Sequence, residues 1–148
     1  MTTVWLILCS MAFGAALTAG GMTDGITRLF TKIARGRIST VASTVLSGVT
    51  LNGTTSDQYI SILLTGSVFR GIYSKNKLEH RLLSRATEDS ATVTSVLIPW
   101  NSCGMVQSTV LGVATLTYLP FCFFNILSPL MSILVATTGY KIEVKNEE

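Results

Sequence analysis

The stretch TEDSATVTSVLIPWNSCG, residues 87–104, carries the two features that decide the fold. It opens with adjacent carboxylates, Glu88 and Asp89, and continues with a ladder of hydroxyl side chains inside an otherwise apolar region. It then breaks at Pro99 and over residues 101–104 before the apolar sequence resumes. Charge and interrupted helix are costly inside hydrocarbon, so such a segment usually serves ions or substrates.

The composition is that of an integral membrane protein. Of the 148 residues, 48% are hydrophobic and 13% are charged, whereas soluble domains carry about 25% charged residues. Residues 38–69 and 86–140 contain no Lys or Arg. As helix, the second stretch would reach ~80 Å, enough to cross a ~30 Å hydrocarbon core more than once. The basic residues cluster beside these stretches, as the positive-inside bias predicts, so the net charge of +3 does not indicate a nucleic-acid partner. The pattern predicts a multi-pass protein of the cell membrane, with the lipid bilayer as its partner.

The first part of the chain predicts a membrane span followed by an interfacial helix. Residues 4–21 are uncharged, and no basic residue precedes them, which favours a span over a signal peptide. Ala12, Ala16 and Gly20 recur every four positions and would let a neighbouring helix approach closely. Residues 22–37 predict an amphipathic helix on the cytoplasmic surface. Its apolar face would consist of Met22, Ile26, Leu29, Phe30 and Ile33, and its basic face of Arg28, Lys32 and Arg35.

Residues 38–69 predict a re-entrant helical hairpin. Both flanks are basic, and one straight span would place these flanks on opposite sides of the membrane. A helix that enters, breaks at Asn52 and Gly53, and returns from Asp57 onward keeps both flanks inside. Its tip would lie near the middle of the membrane, where non-helical backbone is tolerated if protein or a polar cavity surrounds it.

The rest of the chain predicts two further spans and their connections. Residues 86–118 form a broken span and 119–138 a last span, in which Pro129 predicts a kink. Residues 70–85 are a charged cytoplasmic connection, and residues 139–148 are a solvated tail. The predicted fold is all-α and membrane-integral: an ion-transporter-type half with about three transmembrane spans, one re-entrant hairpin and one broken helix. The N-terminus would lie outside and the tail inside.

The acidic residues near apolar sequence are the candidate ligands for Na⁺ and protons: Asp57, Glu88 and Asp89. Glu88 shares a helix face with Thr92 and Ser95, at spacings of four and three. A carboxylate with two hydroxyls is an oxygen-rich set that suits a hard cation such as sodium. In a dry site such a carboxylate can also exchange a proton for the cation.

Each carboxylate also has a purely structural interpretation. Asp57 fits the N-cap of the returning hairpin helix, where the same oxygen would accept backbone amides. Glu88 and Asp89 fit a position at the membrane surface, paired with Arg81 or Arg85. The sequence leaves both interpretations open.

The break supplies further candidates. Asn101, Ser102 and the carbonyls freed around Pro99 could coordinate a cation, as unwound backbone does in broken-helix transporters. Gly104 is the last residue of the predicted backbone break. The alternative is a proline kink with Asn101 capping the next helix. Residues 54–56 at the hairpin tip have the same two interpretations.

No enzyme is predicted. The sequence contains no Gly-rich phosphate loop, no Ser/His/Asp set and no metal-ligand cluster. No cofactor is expected beyond the transported Na⁺ and H⁺. Cys9, Cys103 and Cys122 are odd in number and lack CxxC spacing, so they are predicted to be reduced, small apolar packing residues. His80 is predicted to be a solvated residue of the connection.

Several motifs of this sequence resemble the C-terminal part of the NhaC family of sodium/proton antiporters. The resemblance covers about residues 4–142. The motifs are residues 87–95, 97–104, 111–113, 118–120 and 123–125, with Asp57-Gln58-Tyr59 and Phe69-Arg70 upstream. It implies two inverted halves with re-entrant hairpins and broken helices near the midplane, and secondary antiport of sodium against protons. Some members of the family instead couple exchange of malate against lactate to these ions.

The chain is short for this family, whose members are about three times longer, and it corresponds to their last third. The resemblance therefore implies a fragment, or one piece of a split transporter, whose partner is the missing N-terminal half or an identical subunit. The alternative is an inactive truncated membrane protein or a non-transporting subunit.

Overall fold

The computed structural model describes residues 2–34 and 36–138, so Arg35 of the predicted basic face and the predicted tail 139–148 lie outside the described residues. The described residues form helices and no strand. The α-helices are α1 (Thr2–Ala19), α2 (Met22–Ile33), α3 (Arg37–Thr55), α4 (Gln58–Lys75), α5 (His80–Thr87), α6 (Ser102–Leu111), α7 (Thr115–Tyr118) and α8 (Phe123–Thr138). A π-helical segment, Glu88–Thr92, and two 3₁₀ turns, Ser95–Leu97 and Leu119–Phe121, lie between them.

The hairpin is formed by α3 and α4, but its break is not where the sequence predicted it. Asn52 and Gly53 lie inside α3, and the chain turns at Ser56, whose φ is 59°. Asn52 does not break the helix because its side-chain amide is bound to the carbonyl of Ala91, at 2.5 Å, and does not compete for its own backbone. The return helix extends beyond residue 69, to Lys75.

The broken segment has more interruptions than Pro99 alone predicted. After α5 the helix widens into the π-helical segment, tightens into 3₁₀ geometry and then stops over residues 98–101. The predicted continuation to Tyr118 is divided again at Gly112, which has a φ of 69°. The predicted last span begins with a 60° bend between Thr115–Phe121 and Phe123–Thr138.

Within the described residues, no single helix is both long and apolar enough to cross a membrane. The bent pair formed by Thr115–Phe121 and Phe123–Thr138 meets that requirement by length and composition when its two parts are taken together.

Helix α1 packs against α3 and α6. The residue at the close contact with α3 is Gly14 and not one of the predicted small residues. Ala12 and Ala16 are exposed, whereas Gly14 is buried. A side chain at Gly14 would collide with the carbonyl oxygen of Thr55 at the end of α3. The close approach therefore depends on Gly14.

The interior has an apolar part and a polar part. The apolar core includes Val45, Phe69, Tyr73 and Leu83, from α3, α4 and α5. Around the hairpin turn the buried side chains are instead hydroxyls and amides: Asn52, Thr55, Ser56, Asp57, Ser61, Thr94, Ser95 and Asn101. Buried polar groups need hydrogen-bond partners. The polar part around the hairpin turn is therefore where a polar binding site is to be sought.

Candidate functional site

Two buried asparagines join the hairpin to the broken segment. The Asn101 side-chain amide donates to the side-chain oxygen of Asn52, at 3.1 Å, and to its backbone carbonyl, at 3.3 Å. Asn52 in turn donates to the carbonyl of Ala91 and, at 3.2 Å, to the hydroxyl of Thr94. Both asparagines are 0% exposed. We call this pair the amide clamp; it holds two interrupted elements in one fixed arrangement.

Backbone carbonyls near the hairpin turn are also bound by the broken segment. The Ser102 backbone amide donates to the Ser56 carbonyl at 3.1 Å. The Trp100 indole nitrogen donates to the Gly53 carbonyl at 2.8 Å. These contacts satisfy carbonyls at the end of α3, which have no partner within the helix. Ser102 thus contributes through its backbone, beside the break that contains Pro99.

Asp57 is the N-cap of α4. Its Oδ1 accepts the backbone amides of Tyr59, at 2.8 Å, and Ile60, at 3.1 Å. The residue is 6% exposed, and it directly follows the turn at Ser56. Of the two interpretations that the sequence left open, the cap is present, and it uses the oxygen that a cation would also use. Ion binding by Asp57 remains a prediction.

Gln58 and Cys103 were missed by the sequence reasoning. The Gln58 side-chain oxygen accepts the Ser95 hydroxyl, at 3.2 Å, and the Cys103 thiol, at 2.7 Å. Cys103 is therefore not merely an apolar packing residue. One signal in the sequence could have indicated Gln58: it directly follows Asp57, a candidate cap, and so lies at the first position of the helix that returns from the hairpin turn.

The other two carboxylates, Glu88 and Asp89, are the first two residues of the π-helical segment and face different cavities. Asp89 lines a cavity of about 540 Å³ against α8. Its oxygens accept the hydroxyls of Ser128, at 3.3 Å, and Ser132, and Arg85 lies 3.8 Å away as an exposed ion-pair partner. The predicted alternative, pairing with Arg85, is thus present for Asp89 together with two hydroxyl donors that the sequence did not reveal.

Glu88 lines a second cavity, of about 500 Å³, together with Thr92. Ser95 does not join them, contrary to the shared helix face that the sequence predicted. The residues between them are π-helical and then 3₁₀, so the rotation per residue differs from that of an α-helix. The Ser95 hydroxyl instead donates to Gln58 and to the Thr92 carbonyl.

Gly104 is not part of the backbone break. It is the third residue of α6, whose N-cap is Asn101, with the Asn101 side chain accepting the Cys103 amide at 3.1 Å. A Cβ at Gly104 would collide with the carbonyl oxygen of Ile98. A glycine is needed here because the start of α6 lies in direct contact with the non-helical backbone at Ile98.

The three Na⁺ candidates do not converge. Asp57 caps α4, while Glu88 and Asp89 face separate cavities. Among residues 2–34 and 36–138, no three His, Cys, Asp or Glu side chains are grouped so that they could hold a metal ion. The arrangement offers single carboxylates with hydroxyl and carbonyl neighbours, a donor set that suits weakly held hard cations and protons.

Comparison with known proteins gives a consistent assignment. The model of the Na⁺/H⁺ antiporter family matches residues 1–140. The chain is 36% identical to an arginine/ornithine antiporter of Halobacterium salinarum, covering 99% of this chain and 31% of that protein. It is 36% identical to the Na⁺/H⁺ antiporter NhaC of Bacillus subtilis, covering 91% and 30%, and 29% identical to a malate-2H⁺/Na⁺-lactate antiporter of the same organism, covering 90% and 29%. No solved structure shows significant similarity.

The chain spans about 30% of the length of these relatives. The relatives are transporters and not enzymes, and the family consists of membrane proteins. The family match covers nearly the whole chain, and the relative NhaC is the one that the sequence motifs indicated. The chain belongs to the Na⁺/H⁺ antiporter family.

Proposed function

We propose that the chain is the C-terminal part of a multi-pass antiporter of the cell membrane that exchanges Na⁺ for H⁺. The observation that carries the proposal is the amide clamp. It fixes the hairpin turn at Ser56, which Asp57 directly follows, against the broken segment. Paired interrupted elements of this kind are where secondary transporters bind ions.

In this proposal Glu88 and Asp89 carry the exchange of cation for proton. Asp89 has an oxygen-rich neighbourhood, because two serines of α8 donate to it, and Thr92 lines the same cavity as Glu88. A proton and a Na⁺ would compete for the same oxygens, so loading one displaces the other. Because the two adjacent carboxylates of the π-helical segment line separate cavities, they are suited to successive rather than joint binding.

The partner in this proposal is the remainder of the transporter, supplied by the same chain or by a separate one. The support is the coverage: the matched region is about 30% of each antiporter relative. The relatives differ in their cargo, from Na⁺ and H⁺ to arginine and ornithine or malate and lactate. We assign Na⁺/H⁺ exchange because the site offers carboxylates with hydroxyl neighbours, which suit those two ions.

Everted membrane vesicles test the proposal. With the complete transporter assembled, adding Na⁺ should release protons and restore the fluorescence of a quenched pH-gradient dye. Glu88→Gln and Asp89→Asn should each reduce this response by about tenfold or more if a charged contact to the cation is lost. Asp24→Asn, an exposed acidic residue of α2, is the matched control and should leave the response unchanged. Full response in both cavity variants would refute the role of these carboxylates.

A further inference from the structure

The outward side of α2 and the start of α3 carry a repeated pattern, in which a basic residue is followed directly by a large apolar one. The three pairs are Arg28-Leu29, Lys32-Ile33 and Arg37-Ile38. All six residues are exposed, and we call them the α2–α3 surface. We propose that this surface binds an anionic phospholipid, with the headgroup phosphate at the basic residues and an acyl chain along the apolar ones. This inference goes beyond Na⁺/H⁺ exchange and does not depend on it.

The first argument is the way in which α2 divides its apolar residues between core and exterior. Thr27 is buried and Phe30 packs against the apolar core, so this face of the helix points inward. Leu29 and Ile33 point outward and are 59% and 55% exposed. Successive residues of an α-helix are rotated by ~100°, so the basic residue before each of them lies in a neighbouring stripe. The outward side of α2 is therefore amphipathic in its own right.

The start of α3 extends this surface. The hydroxyl of Ser39 donates to the carbonyl of Ile33 at 2.5 Å, which holds the first turn of α3 against the end of α2. Arg37 and Ile38 directly precede Ser39, and Ile38 is 45% exposed. The third basic–apolar pair thus lies beside the second, and two helices contribute to one surface.

The second argument is charge. Within the described residues, no ion pair involves Arg28, Lys32 or Arg37. The acidic residue of α2 is Asp24, in its first turn, and it is exposed. Three positive charges against one negative charge leave an excess that a phosphodiester anion would meet, and basic residues at a membrane surface attract anionic lipids in this way.

The apolar residues decide between a lipid and a soluble anion as the occupant. A basic surface that only faces water gains nothing from outward side chains such as Leu29 and Ile33. A phospholipid offers a phosphate to one stripe and a hydrocarbon chain to the other, which is the arrangement of amphipathic helices in the membrane interface. The family consists of membrane proteins, so phospholipid surrounds its members.

Native mass spectrometry of the purified chain in a neutral detergent tests the proposal. The chain is mixed with equimolar phosphatidylglycerol and phosphatidylcholine of identical acyl chains, and the lipids that stay bound are counted. Phosphatidylglycerol should be retained at least about tenfold over phosphatidylcholine, because each basic contact favours the anionic lipid by about fivefold. Equal retention of the two lipids would overturn the proposal.

Variants of the basic residues locate the headgroup. Arg28→Gln and Lys32→Gln should each reduce the preference for phosphatidylglycerol by about fivefold, whereas Arg28→Lys should keep most of it because the charge remains. Arg70→Gln is the matched control, since it removes one exposed positive charge from α4, outside the α2–α3 surface. Equal losses in Arg70→Gln and Arg28→Gln would show that net charge alone matters and would refute the site.

Leu29→Ser tests the acyl chain, with Ile33→Ser as a second variant and circular dichroism to verify that both fold. Because both residues are exposed, each variant should stay folded and retain several-fold less phosphatidylglycerol. Glycerol 1-phosphate, a headgroup without acyl chains, should not displace the lipid at equal concentration. Displacement by this probe, or unchanged retention in both variants, would contradict a lipid site. A dimer that Leu29→Ser dissociates would assign the surface to a second copy of the chain and would also overturn the proposal.

Discussion

At the residue scale, Asn101 combines two tasks in one buried side chain. Its oxygen caps α6 and its nitrogen reaches Asn52 across the interface with the hairpin. Asn101→Ala removes the cap and leaves a buried acceptor of Asn52 without its donor. We expect destabilisation of about 2–4 kcal/mol, from about 1 kcal/mol for a cap and about 1–3 kcal/mol for an unsatisfied buried group.

Unfolding in detergent, followed by circular dichroism during an SDS titration, measures this change. Ser67→Ala is the control, because its exposed hydroxyl donates within its own helix; we expect it to stay within about 0.5 kcal/mol. Equal stability of the two variants would show that the amide clamp does not hold the interrupted elements together.

Substitutions at Asp57 distinguish helix capping from ion binding, because asparagine caps helices about as well as aspartate but carries no charge. Asp57→Asn should therefore keep the unfolding free energy within about 0.5 kcal/mol, whereas Asp57→Ala should lose about 1 kcal/mol. If the carboxylate also binds the cation, Asp57→Asn abolishes Na⁺-dependent dequenching in vesicles while the protein stays folded. Full transport by Asp57→Asn would leave Asp57 with the cap alone.

Local sequence signals could predict the caps but not the long-range partners. Aspartate or asparagine before an apolar run is a helix-start pattern, and both Asp57 and Asn101 are caps. The partners of Asn52 lie 39, 42 and 49 residues away, and the serine partners of Asp89 lie 39 and 43 residues away. Such contacts depend on how helices pack, which a single sequence does not specify.

At the scale of elements, α3 contains two glycines whose substitutions should have opposite effects. A Cβ at Gly48 would collide with the side chain of Ser90 in the π-helical segment, whereas a Cβ at Gly53 meets nothing within 4 Å. Gly53→Ala should stabilise the chain by about 0.5–1 kcal/mol through helix propensity. Gly48→Ala should destabilise it, because overpacking costs about 1–3 kcal/mol and exceeds that gain.

The same SDS titration measures both variants, and each serves as the control for the other. Both glycines belong to one helix, Gly48 in its interior and Gly53 in its last turn, so the difference reports mainly packing of Gly48 against the π-helical segment. Two substitutions of the same sign would show that α3 and this segment are not in close contact.

Element types were easier to predict than their interruptions. The apolar runs predicted an all-α chain, and Pro99 predicted unwinding because proline removes a backbone donor. The π-helical segment has no such residue: Ser90, within it, packs against the bare backbone of Gly48. The predicted break at Asn52 and Gly53 was wrong because of another tertiary contact. The Asn52 side chain donates to the Ala91 carbonyl and does not compete for the backbone of its own helix.

At the scale of the whole molecule, many large apolar side chains face outward, including Trp5, Leu63, Val110, Phe121 and Phe124. Exposed apolar surface of this extent is expected where lipid or another protein covers it. Together with coverage of about 30% of each relative, it leads to the prediction that transport requires the rest of an antiporter.

Complementation tests this dependence directly. The chain should be expressed in a strain without Na⁺/H⁺ antiporters, alone and together with the part of Bacillus subtilis NhaC that lies outside the matched region. We expect no Na⁺-dependent dequenching from either piece alone and a response from the pair, because a site between two halves needs groups from both. The pair containing Glu88→Gln is the control for a response that passes through this chain. A full response from the chain alone would contradict the proposed partnership while leaving ion exchange intact, because the ions would then cross without a second half.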